Sequence, residues 1–248
     1  MSSIPSSIST GSDALDAMFG CGGLPRGRVV ELFGSSGCGK TTLSLLWIAS
    51  AQRQGLNAVF VDLERSLDPD WAVACGARLE DLIVLSPVSA EEGTAMMESL
   101  LTSFGVDLLV VDSAAALVSE SELATPVEDL PMDSHTELLA RCLRRLSMLA
   151  LRSSACLLIL NQTRRDRNGQ ERSAGYRALA LHAAVRVALN VEQRSGTAQT
   201  LKLSTIKNKL AAPFAEGWVE LRGPALYDVE RKGPERAWRA AAATRRLG

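Results

Sequence analysis

The feature that most constrains the fold is a glycine-rich turn at residues 34–41, with the sequence GSSGCGKT. It follows an apolar run at residues 29–33 and opens a helical pattern at residues 41–53. The spacing G-x-x-x-x-G-K-[ST] between a strand and a helix is typical of a phosphate-binding P-loop, because glycines let the main chain wrap closely around phosphate at a helix N-terminus. The turn therefore predicts a site for a nucleoside triphosphate.

The residue types within the turn fit triphosphate chemistry. The amine of Lys40 would reach the β- and γ-phosphates, and the hydroxyl of Thr41 would ligate Mg²⁺. The predicted nucleotide-binding residues of this segment are Gly34, Ser35, Ser36, Gly37, Cys38, Gly39, Lys40, Thr41 and Thr42.

Apolar runs of strand length alternate with helical patterns along the first two thirds of the chain. The predicted strands are residues 29–33, 58–61, 82–85, 108–111 and 156–160, and the predicted helices are residues 41–53, 69–75, 90–104 and 134–151. Most of these runs are continuously apolar, as in strands buried on both faces. The pattern predicts an α/β fold with a mostly parallel central sheet flanked by helices.

After residue 160 the pattern changes. Residues 185–191 and 200–206 are consecutive strand candidates joined by residues 192–199, which contain Ser195 and Gly196. This segment predicts an antiparallel hairpin at one edge of the sheet.

Polar side chains follow three of the predicted strands, and ligands collect at the carboxyl ends of parallel strands. Asp112 ends the run at 108–111 in a Walker B pattern, so we expect it beside the Mg²⁺ held by Thr41. Glu64 follows the run at 58–61 and is a candidate base or water-positioning group, or else part of a surface salt bridge. Gln162 follows the run at 156–160 and is a candidate hydrogen-bond donor to the γ-phosphate.

Composition limits the classes of partner. The net charge of −1 means that affinity for nucleic acid has to come from a local basic patch. No apolar run reaches the length of a membrane span, and residues 1–11 lack the pattern of a signal peptide, so we expect a cytoplasmic protein with no membrane partner. The five cysteines form no C-x-x-C and the two histidines are far apart, which is not typical of a structural zinc site.

Several further motifs occur in a fixed order along the chain. They are residues 8–12 (ISTGS), 15–16 (LD), 22–28 (GGLPRGR), 62–69 (DLERSLDP), 111–117 (VDSAAAL), 133–135 (DSH), 161–162 (NQ) and 207–214 (KNKLAAPF). Together with the P-loop, this series resembles the bacterial RecA recombinase family over roughly residues 8–223, and the ordered set is far more specific than a P-loop alone.

The resemblance implies roles at the nucleotide. It makes ATP with Mg²⁺ the cofactor, Glu64 the activator of the attacking water and Gln162 the sensor of the γ-phosphate. It also aligns Asp68 and Trp71 with positions that contact adenine. An indole can stack on a base; the alternative is that Trp71 is a core aromatic of the helix at residues 69–75.

The resemblance also places Lys207 and Lys209 at a protomer interface, where they would reach the γ-phosphate on a neighbouring copy and act in catalysis. Their i, i+2 spacing on an extended chain puts both on one side, and two ammonium groups side by side favour an anion between them. The alternative is that both are ordinary solvated lysines. A homo-oligomer or filament is the partner implied.

In the family two loops bind single-stranded DNA, and they correspond here to residues 119–133 and 163–175. The second loop is arginine-rich and could hold backbone phosphates, or be a solvated charged loop that Asp166 and Glu171 partly neutralise. The predicted DNA-binding residues are Arg164, Arg165, Arg167, Arg172 and Arg177.

The chain departs from the family pattern in four places. The family's N-terminal docking segment and C-terminal domain are not expected here: residues 1–228 form the predicted ATPase core, and residues 229–248 a basic tail, either a short helix over 236–245 or a frayed end. The first loop carries acidic residues and no Lys or Arg, which opposes DNA binding. The second loop has Tyr176 next to Gly175, where the family has a pair of glycines.

Two functions stay open at this point. The first is a single-stranded-DNA-dependent ATPase of the recombinase type, acting in homologous recombination and DNA repair. The second is a RecA-like accessory protein of the SOS response and translesion mutagenesis, acting through a translesion polymerase or RecA as partner. A nucleotide kinase has no support, because the chain shows no acceptor-site or lid signature.

Overall fold

A computed structural model of the chain describes residues 7–103, 105–129, 134–165 and 171–229. The strands are β1 (Ser7–Ile8), β2 (Leu24–Pro25), β3 (Val29–Gly34), β4 (Ala58–Asp62), β5 (Leu82–Leu85), β6 (Leu108–Asp112), β7 (Cys156–Arg165), β8 (Glu171–Ser173), β9 (Val185–Ser195), β10 (Ala198–Asn208), β11 (Glu216–Arg222) and β12 (Ala225–Asp228). The helices are α1 (Asp13–Phe19), α2 (Lys40–Arg53), α3 (Pro69–Ala74), α4 (Ala90–Ser103), α5 (Glu120–Ala124), α6 (Ser134–Ser153) and α7 (Tyr176–His182).

The main sheet is parallel in its centre and antiparallel on one side. Its strand order is β12-β11-β10-β9-β3-β7-β6-β4-β5, and β8 pairs with β7 away from this path. The pairs from β9 to β5 are parallel, whereas β9 to β12 and β7 to β8 are antiparallel. The predicted α/β fold, with its parallel sheet and its antiparallel edge hairpin, is confirmed.

The central strands are apolar throughout because both of their faces are covered. In β6, Leu108 and Val110 belong to the core cluster that contains Trp47 of α2, whereas Leu109 and Val111 belong to the cluster that contains Leu143 of α6. Alternate residues of one strand therefore enter two different cores, which requires a continuous apolar run. This is why the five predicted parallel strands were visible in the sequence.

The helix α6 shows how the sequence selects a buried face. Its buried apolar residues recur with helical spacing, so they form one stripe against the sheet. They are Leu138, Leu139, Cys142, Leu143, Leu146 and Ala150. The helix was predicted over residues 134–151 and ends at Ser153.

The antiparallel edge is larger than the predicted hairpin. The strands β9 and β10 extend to a turn at Gly196, where φ is 58°, and two further strands, β11 and β12, widen the edge to four strands. In β11 the buried residues alternate with half-buried or exposed ones, so one face of this wing is solvated, as is usual in antiparallel sheets.

The two ends of the described chain meet. Ser12 caps α1 by accepting a hydrogen bond from the main-chain N–H of Leu15, and its hydroxyl donates to the carboxylate of Asp228 at the end of β12. The N–H of Ala14 donates to the same carboxylate over 3.3 Å. The first helix thus closes against the last strand of the sheet.

Beyond β12 the chain is described only as far as Val229, whose N–H donates to the carbonyl of Trp218 over 3.2 Å. The predicted basic tail, including the helix considered over 236–245, lies outside the described residues. None of the described helices is both long enough and apolar enough to span a lipid bilayer.

Candidate active site

The glycine-rich turn lies between β3 and α2 at the carboxyl edge of the parallel strands, where Gly34 is level with Gln162 of β7. Gly37 and Gly39 have φ values of 69° and 95°, which favour glycine. A Cβ on Gly34 would lie 2.4 Å from the carbonyl oxygen of Leu189, so the turn packs closely on β9. It leads directly into the N-terminus of α2, an arrangement that attracts an anion.

Lys40, the first residue of α2, folds its side chain back into this turn. Its Nζ donates to the carbonyl oxygens of Gly34 and Ser35 over 3.1 and 2.8 Å and lies 3.6 Å from Sγ of the buried Cys38. Lys40 as a whole residue is 8% exposed. Its ammonium group has no carboxylate partner among the ion pairs of the described residues. A buried ammonium group whose partners are neutral carbonyls can form strong, charge-assisted hydrogen bonds with phosphate oxygens.

Thr41 and Asp112 form the second polar pair of the turn. The Thr41 hydroxyl donates to Oδ2 of Asp112 over 2.6 Å. Burial raises the pKa of Asp112 to about 6; the hydrogen bond from Thr41 opposes that rise, and the carboxylate of Glu64 adds to it. A divalent cation would offset the burial of this carboxylate, and hydroxyl and carboxylate oxygens are the ligands that Mg²⁺ prefers.

In the part of the chain that is described, no three His, Cys, Asp or Glu side chains come close enough to hold a metal ion by themselves. An ion at Thr41 and Asp112 would therefore share its remaining ligands between water and the phosphate oxygens of a nucleotide. This fits Mg²⁺, which usually binds through one or two protein groups together with substrate phosphates.

Glu64 and Gln162 meet in front of the turn. The side-chain amide of Gln162 donates to Oε1 of Glu64 over 3.1 Å, and the hydroxyl of Ser113 donates to the same oxygen. The N–H groups of Leu63 and Glu64 donate to the carbonyl of Asp112 over 2.8 and 3.3 Å, which fixes Glu64 beside β6. Among the described residues, the Glu64 carboxylate accepts hydrogen bonds from neutral donors and forms no ion pair, which favours the catalytic interpretation over the surface salt bridge.

These groups line one cavity of about 420 Å³. The predicted residues in its wall are Ser36, Gly37, Gly39, Lys40, Thr41, Thr42, Glu64, Trp71, Asp112 and Gln162. Four further wall residues were not predicted, namely Thr197, Gln199, Leu221 and Gly223. The cavity is large enough for a nucleotide, and its wall includes the Lys40 turn together with Thr41 and Asp112.

The unpredicted wall comes from the antiparallel wing. Thr197 lies in the β9–β10 turn and Gly223 in the β11–β12 turn, and Arg194 donates to the carbonyl of Gly37 over 3.5 Å. The sequence carried only a weak signal for these positions, the Ser-Gly and Arg-Gly turns. The distance of Thr197 and Gly223 from the P-loop depends on how far the strands of the antiparallel wing extend past β3.

Trp71 of α3 lies at the mouth of the cavity. Its Nε1 donates to Oγ1 of Thr42 over 3.2 Å, and the residue is 36% exposed, so it is not the core aromatic considered as the alternative. Asp68 is the N-cap of α3: its Oδ1 accepts from the N–H groups of Asp70 and Trp71 over 2.9 and 3.2 Å. Asp68 lies outside the cavity wall and orients the helix that carries the indole.

Lys207 and Lys209 lie on a different surface, outside the cavity wall. Lys207 donates to the carbonyl of Ala180 in α7 over 2.6 Å, whereas Lys209 is exposed. Burial and the neighbouring ammonium of Lys209 lower the pKa of Lys207, and burial together with both lysines lowers the pKa of His182. The two lysines are therefore close enough to repel each other, and they do not contact the nucleotide cavity of their own chain.

The two ends of the predicted arginine loop pair with each other as antiparallel strands, β7 and β8. Thr163, Arg164 and Arg165 of β7 pair with Ser173, Arg172 and Glu171 of β8, so Arg164 is directly opposite Arg172. Arg164, Arg172 and Arg177 are exposed, and Arg167 lies outside the described residues. We call residues 163–165 together with residues 171–175 the arginine hairpin.

The other predicted DNA loop, residues 119–133, contains the short helix α5. Ser119 and Glu122 form a capping box at its start, and the acidic side chains of Glu120, Glu128 and Asp129 are exposed. Residues 130–133 lie outside the described part of the chain. The described part of this loop, residues 119–129, is thus an acidic surface beside the start of α4, where Ser89 donates to Glu120 over 3.4 Å.

Comparison with known proteins identifies one family. The model of the RecA N-terminal domain matches residues 3–223. The chain is 38% identical over 224 residues to the RecA protein of Thermus thermophilus, covering 86% of this chain and 66% of that protein. It is 39% identical over 219 residues to RecA of Methylococcus capsulatus, with 84% and 62% covered, and 37% identical over 224 residues to RecA of Limosilactobacillus reuteri, with 87% and 62% covered. The chain thus spans 62–66% of the length of these relatives.

Proposed function

Because the chain belongs to the RecA family, we propose that it is a single-stranded-DNA-dependent ATPase of the recombinase type, acting in homologous recombination and DNA repair in the bacterial cytoplasm. The observation that carries this proposal is the meeting of Glu64 and Gln162 in front of the Lys40 turn, within the wall of one cavity. A site that only binds nucleotide would not need a carboxylate held by neutral donors at that position.

The residues of the cavity divide the work of ATP hydrolysis. Lys40 and the N-terminus of α2 bind the β- and γ-phosphates, and Trp71 stacks on the adenine with Asp68 holding its helix. Glu64 accepts a proton from the attacking water while Gln162 donates a hydrogen bond to the γ-phosphate. Thr41 and Asp112 would hold Mg²⁺, which neutralises phosphate charge when bound.

Single-stranded DNA would bind along the arginine hairpin. The exposed side chains of Arg164, Arg172 and Arg177 present positive charge on one hairpin and on the helix that follows it. Contacts from arginine to backbone phosphates require no base sequence, which suits a recombinase.

Lys207 and Lys209 would complete the site of a second copy. Burial lowers the pKa of Lys207 most, and the ammonium group of Lys209 lowers it further. An anion between the two ammonium groups would relieve their repulsion, and both lysines lie outside the cavity wall of their own chain. A neighbouring protomer's γ-phosphate would supply this anion, which makes hydrolysis depend on a homo-oligomer or filament.

The acidic surface of residues 119–129 favours a second candidate function. Negative charge on a surface that is to approach DNA opposes binding, and Leu123 of α5 is 61% exposed. A RecA-like accessory protein of the SOS response, acting through a translesion polymerase or RecA, would use such a surface for protein contacts.

The test is ATP turnover by the purified chain with and without single-stranded DNA. The proposal expects stimulation by DNA, and it expects Lys40→Ala to lower nucleotide affinity about 10- to 100-fold, as removal of a charged hydrogen-bond donor does. Lys202→Ala, on the antiparallel wing, is the matched control. Turnover that DNA leaves unchanged, in a protein that does not bind DNA, would favour the accessory function.

A further inference from the structure

A second cavity, of about 240 Å³, opens beside the three strands farthest from the antiparallel wing. Its wall comes from the segments that follow β4, β5 and β6 and from the short helix α5. Most of the wall is apolar, with Leu63, Pro87, Val88, Leu117, Val118 and Leu123 among its residues. We call this cavity the α5 groove. It shares no residue with the wall of the nucleotide cavity, so the two are separate.

The apolar wall of the α5 groove is open to solvent. Val88 is 68% exposed, Leu123 is 61% exposed and Val118 is 37% exposed. None of the three belongs to either core cluster of the sheet. Apolar side chains that line a cavity and that no other part of the described chain covers are typical of a contact surface for another polypeptide segment.

Carboxylates surround this apolar wall. Glu92 accepts a hydrogen bond from the N–H of Val88 over 2.7 Å, and Glu91 accepts one from the N–H of Glu120 over 3.0 Å. The hydroxyl of Ser89 donates to Glu120 over 3.4 Å. The first turns of α4 and α5 therefore bring three carboxylates to the rim of the groove.

The described residues leave this rim negative. None of their ion pairs contains a rim carboxylate, whereas Glu98, further along α4, is paired with Arg145. One cation, Arg65, is part of the groove wall, and its guanidinium donates to the carbonyls of Ser86 and Pro87 over 3.1 and 3.5 Å. The excess of negative charge favours a basic partner.

The basic tail of the chain, residues 229–248, has the matching chemistry. It carries six Lys and Arg against two Glu, and Trp238 lies between Arg236 and Arg239. Tryptophan is frequent among the residues that dominate the energy of protein contacts, because its indole buries a large apolar area. A guanidinium such as that of Arg65 can also lie over the face of an indole.

The distance along the sheet favours a tail that comes from a second copy. The tail follows β12, and β4 is the middle strand of the three beside the groove. Seven strand spacings of about 4.8 Å separate β12 from β4, which amounts to about 34 Å. The segment from Val229 to Trp238 spans at most about 32 Å when fully extended. A straight tail would also have to cross the wing and the P-loop, so it does not fit the groove of its own chain.

We propose that the α5 groove binds the basic tail of a second copy of this chain, with Trp238 against the apolar wall. Arg236 and Arg239 face the carboxylates of the rim. Each copy then offers its tail to one neighbour and its groove to another, which is a head-to-tail contact. The contact uses neither nucleotide nor DNA, so it goes beyond the proposed function and does not rest on it.

The first test is sedimentation velocity of the full chain over a range of protein concentrations, without nucleotide and without DNA. We expect the wild type to associate, and we expect Trp238→Ala to weaken the association about 30-fold, as loss of a dominant contact residue does. Leu123→Asp, which places a charge in the apolar wall, should weaken it to a similar extent. Met148→Asp is the matched control, because Met148 is 57% exposed on α6 and lies outside the groove.

The second test reverses charges. Arg236→Glu/Arg239→Glu should weaken association about tenfold, and adding Glu91→Lys/Glu120→Lys to the same chain should restore it to within about threefold of the wild type. If the chain with reversed rim charges does not fold, Leu123→Asp still tests the groove. Association of all these variants that equals the wild type overturns the proposal.

Two further outcomes also overturn it. A wild type that stays monomeric shows that the groove does not bind a second copy. Association that Leu123→Asp weakens, but that Trp238→Ala and the tail reversal leave unchanged, assigns the groove to another part of the second copy. Because the measurement contains no nucleotide and no DNA, its result is independent of the turnover test of the proposed function, and either can fail while the other stands.

Discussion

Gln162 donates its side-chain amide to Glu64 over 3.1 Å, although the two residues are 98 positions apart in the chain. The contact arises because β7 and β4 both end at the same edge of the sheet, with only β6 between them. If a γ-phosphate oxygen competes for the Gln162 amide, the Glu64 oxygen loses a donor and becomes a better acceptor for a proton from water. Binding of the intact triphosphate would in this way prepare the base.

The substitution Glu64→Gln should leave ATP bound and stop its hydrolysis, because an amide cannot accept the water proton. We expect turnover to fall about 10²- to 10⁴-fold, the usual contribution of a general base, with nucleotide affinity nearly unchanged. Single-turnover hydrolysis and nucleotide binding measure the two effects separately. Glu80→Gln, beyond α3, is the control; wild-type turnover in Glu64→Gln would assign the base to another residue.

The substitutions Arg164→Ala, Arg165→Ala and Arg167→Ala together should weaken binding to single-stranded DNA and flatten its salt dependence. Each phosphate contact contributes about 0.7 to the slope of log affinity against log salt, so losing three lowers the slope by about two units. Titrations at several salt concentrations give the slope. Arg78→Ala removes a charge that is paired with Asp81 and should leave it unchanged, whereas an unaltered slope in the triple variant would exclude the hairpin as the DNA site.

The double substitution Lys207→Ala/Lys209→Ala should bind ATP nearly normally and lose turnover that depends on assembly. Wild-type specific activity should rise with protein concentration or with added DNA. Mixing the double variant with Glu64→Gln should restore part of the activity, because some junctions then pair an intact Glu64 with intact lysines. Turnover that is independent of concentration and of both lysines would show that each protomer hydrolyses ATP alone.

His182 offers a pH-dependent measure of the same lysines. Burial, followed by Lys207, Lys209 and Arg144, lowers its pKa below the ordinary 6.5. Because the unfolded chain then binds the proton more readily, stability is lost as pH falls through 6.5 towards the folded-state pKa, and the loss levels off below it. His182→Gln should reduce the difference in urea midpoint between about pH 7.5 and 5.5. In ring-proton NMR, Lys209→Ala should raise the His182 pKa; a wild-type value at or above 6.5 would contradict this.

The sequence was sufficient for the parts of the site that depend on strand ends. Lys40, Asp112, Glu64 and Gln162 follow strands that are apolar on both faces, and parallel strands deliver their carboxyl ends to one edge whatever the details of packing. The lining by Thr197 and Gly223 could not be found in this way. The position of these two residues depends on how far β9 and β10 extend past β3. The residues of a turn indicate where a strand ends in the sequence but not how far it reaches past its neighbour in the sheet.

The buried ion pair of Arg186 with Glu31 shows a second limit. A lone arginine in an apolar strand, Arg186, and a lone glutamate in another, Glu31, each look like local exceptions to the pattern. Only the pairing of β9 with β3 reveals that they are level with each other and bury each other's charge. Sequence patterns describe each strand separately, whereas buried ion pairs belong to two strands at once.

The contact of Asp228 with Ser12 and Ala14 brings the start of α1 and the end of β12 together, so we expect the fold to tolerate circular permutation. The described polypeptide is nearly a closed circle, so a short peptide could join its two ends and a new break could be made elsewhere. Gly55, where a Cβ would meet nothing within 4 Å, is an open turn between α2 and β4 suited to that break. A permuted protein that begins after Gly55 would keep the strand order of the sheet. Its β3, P-loop and α2 would then form the C-terminal end of the chain instead of the N-terminal end.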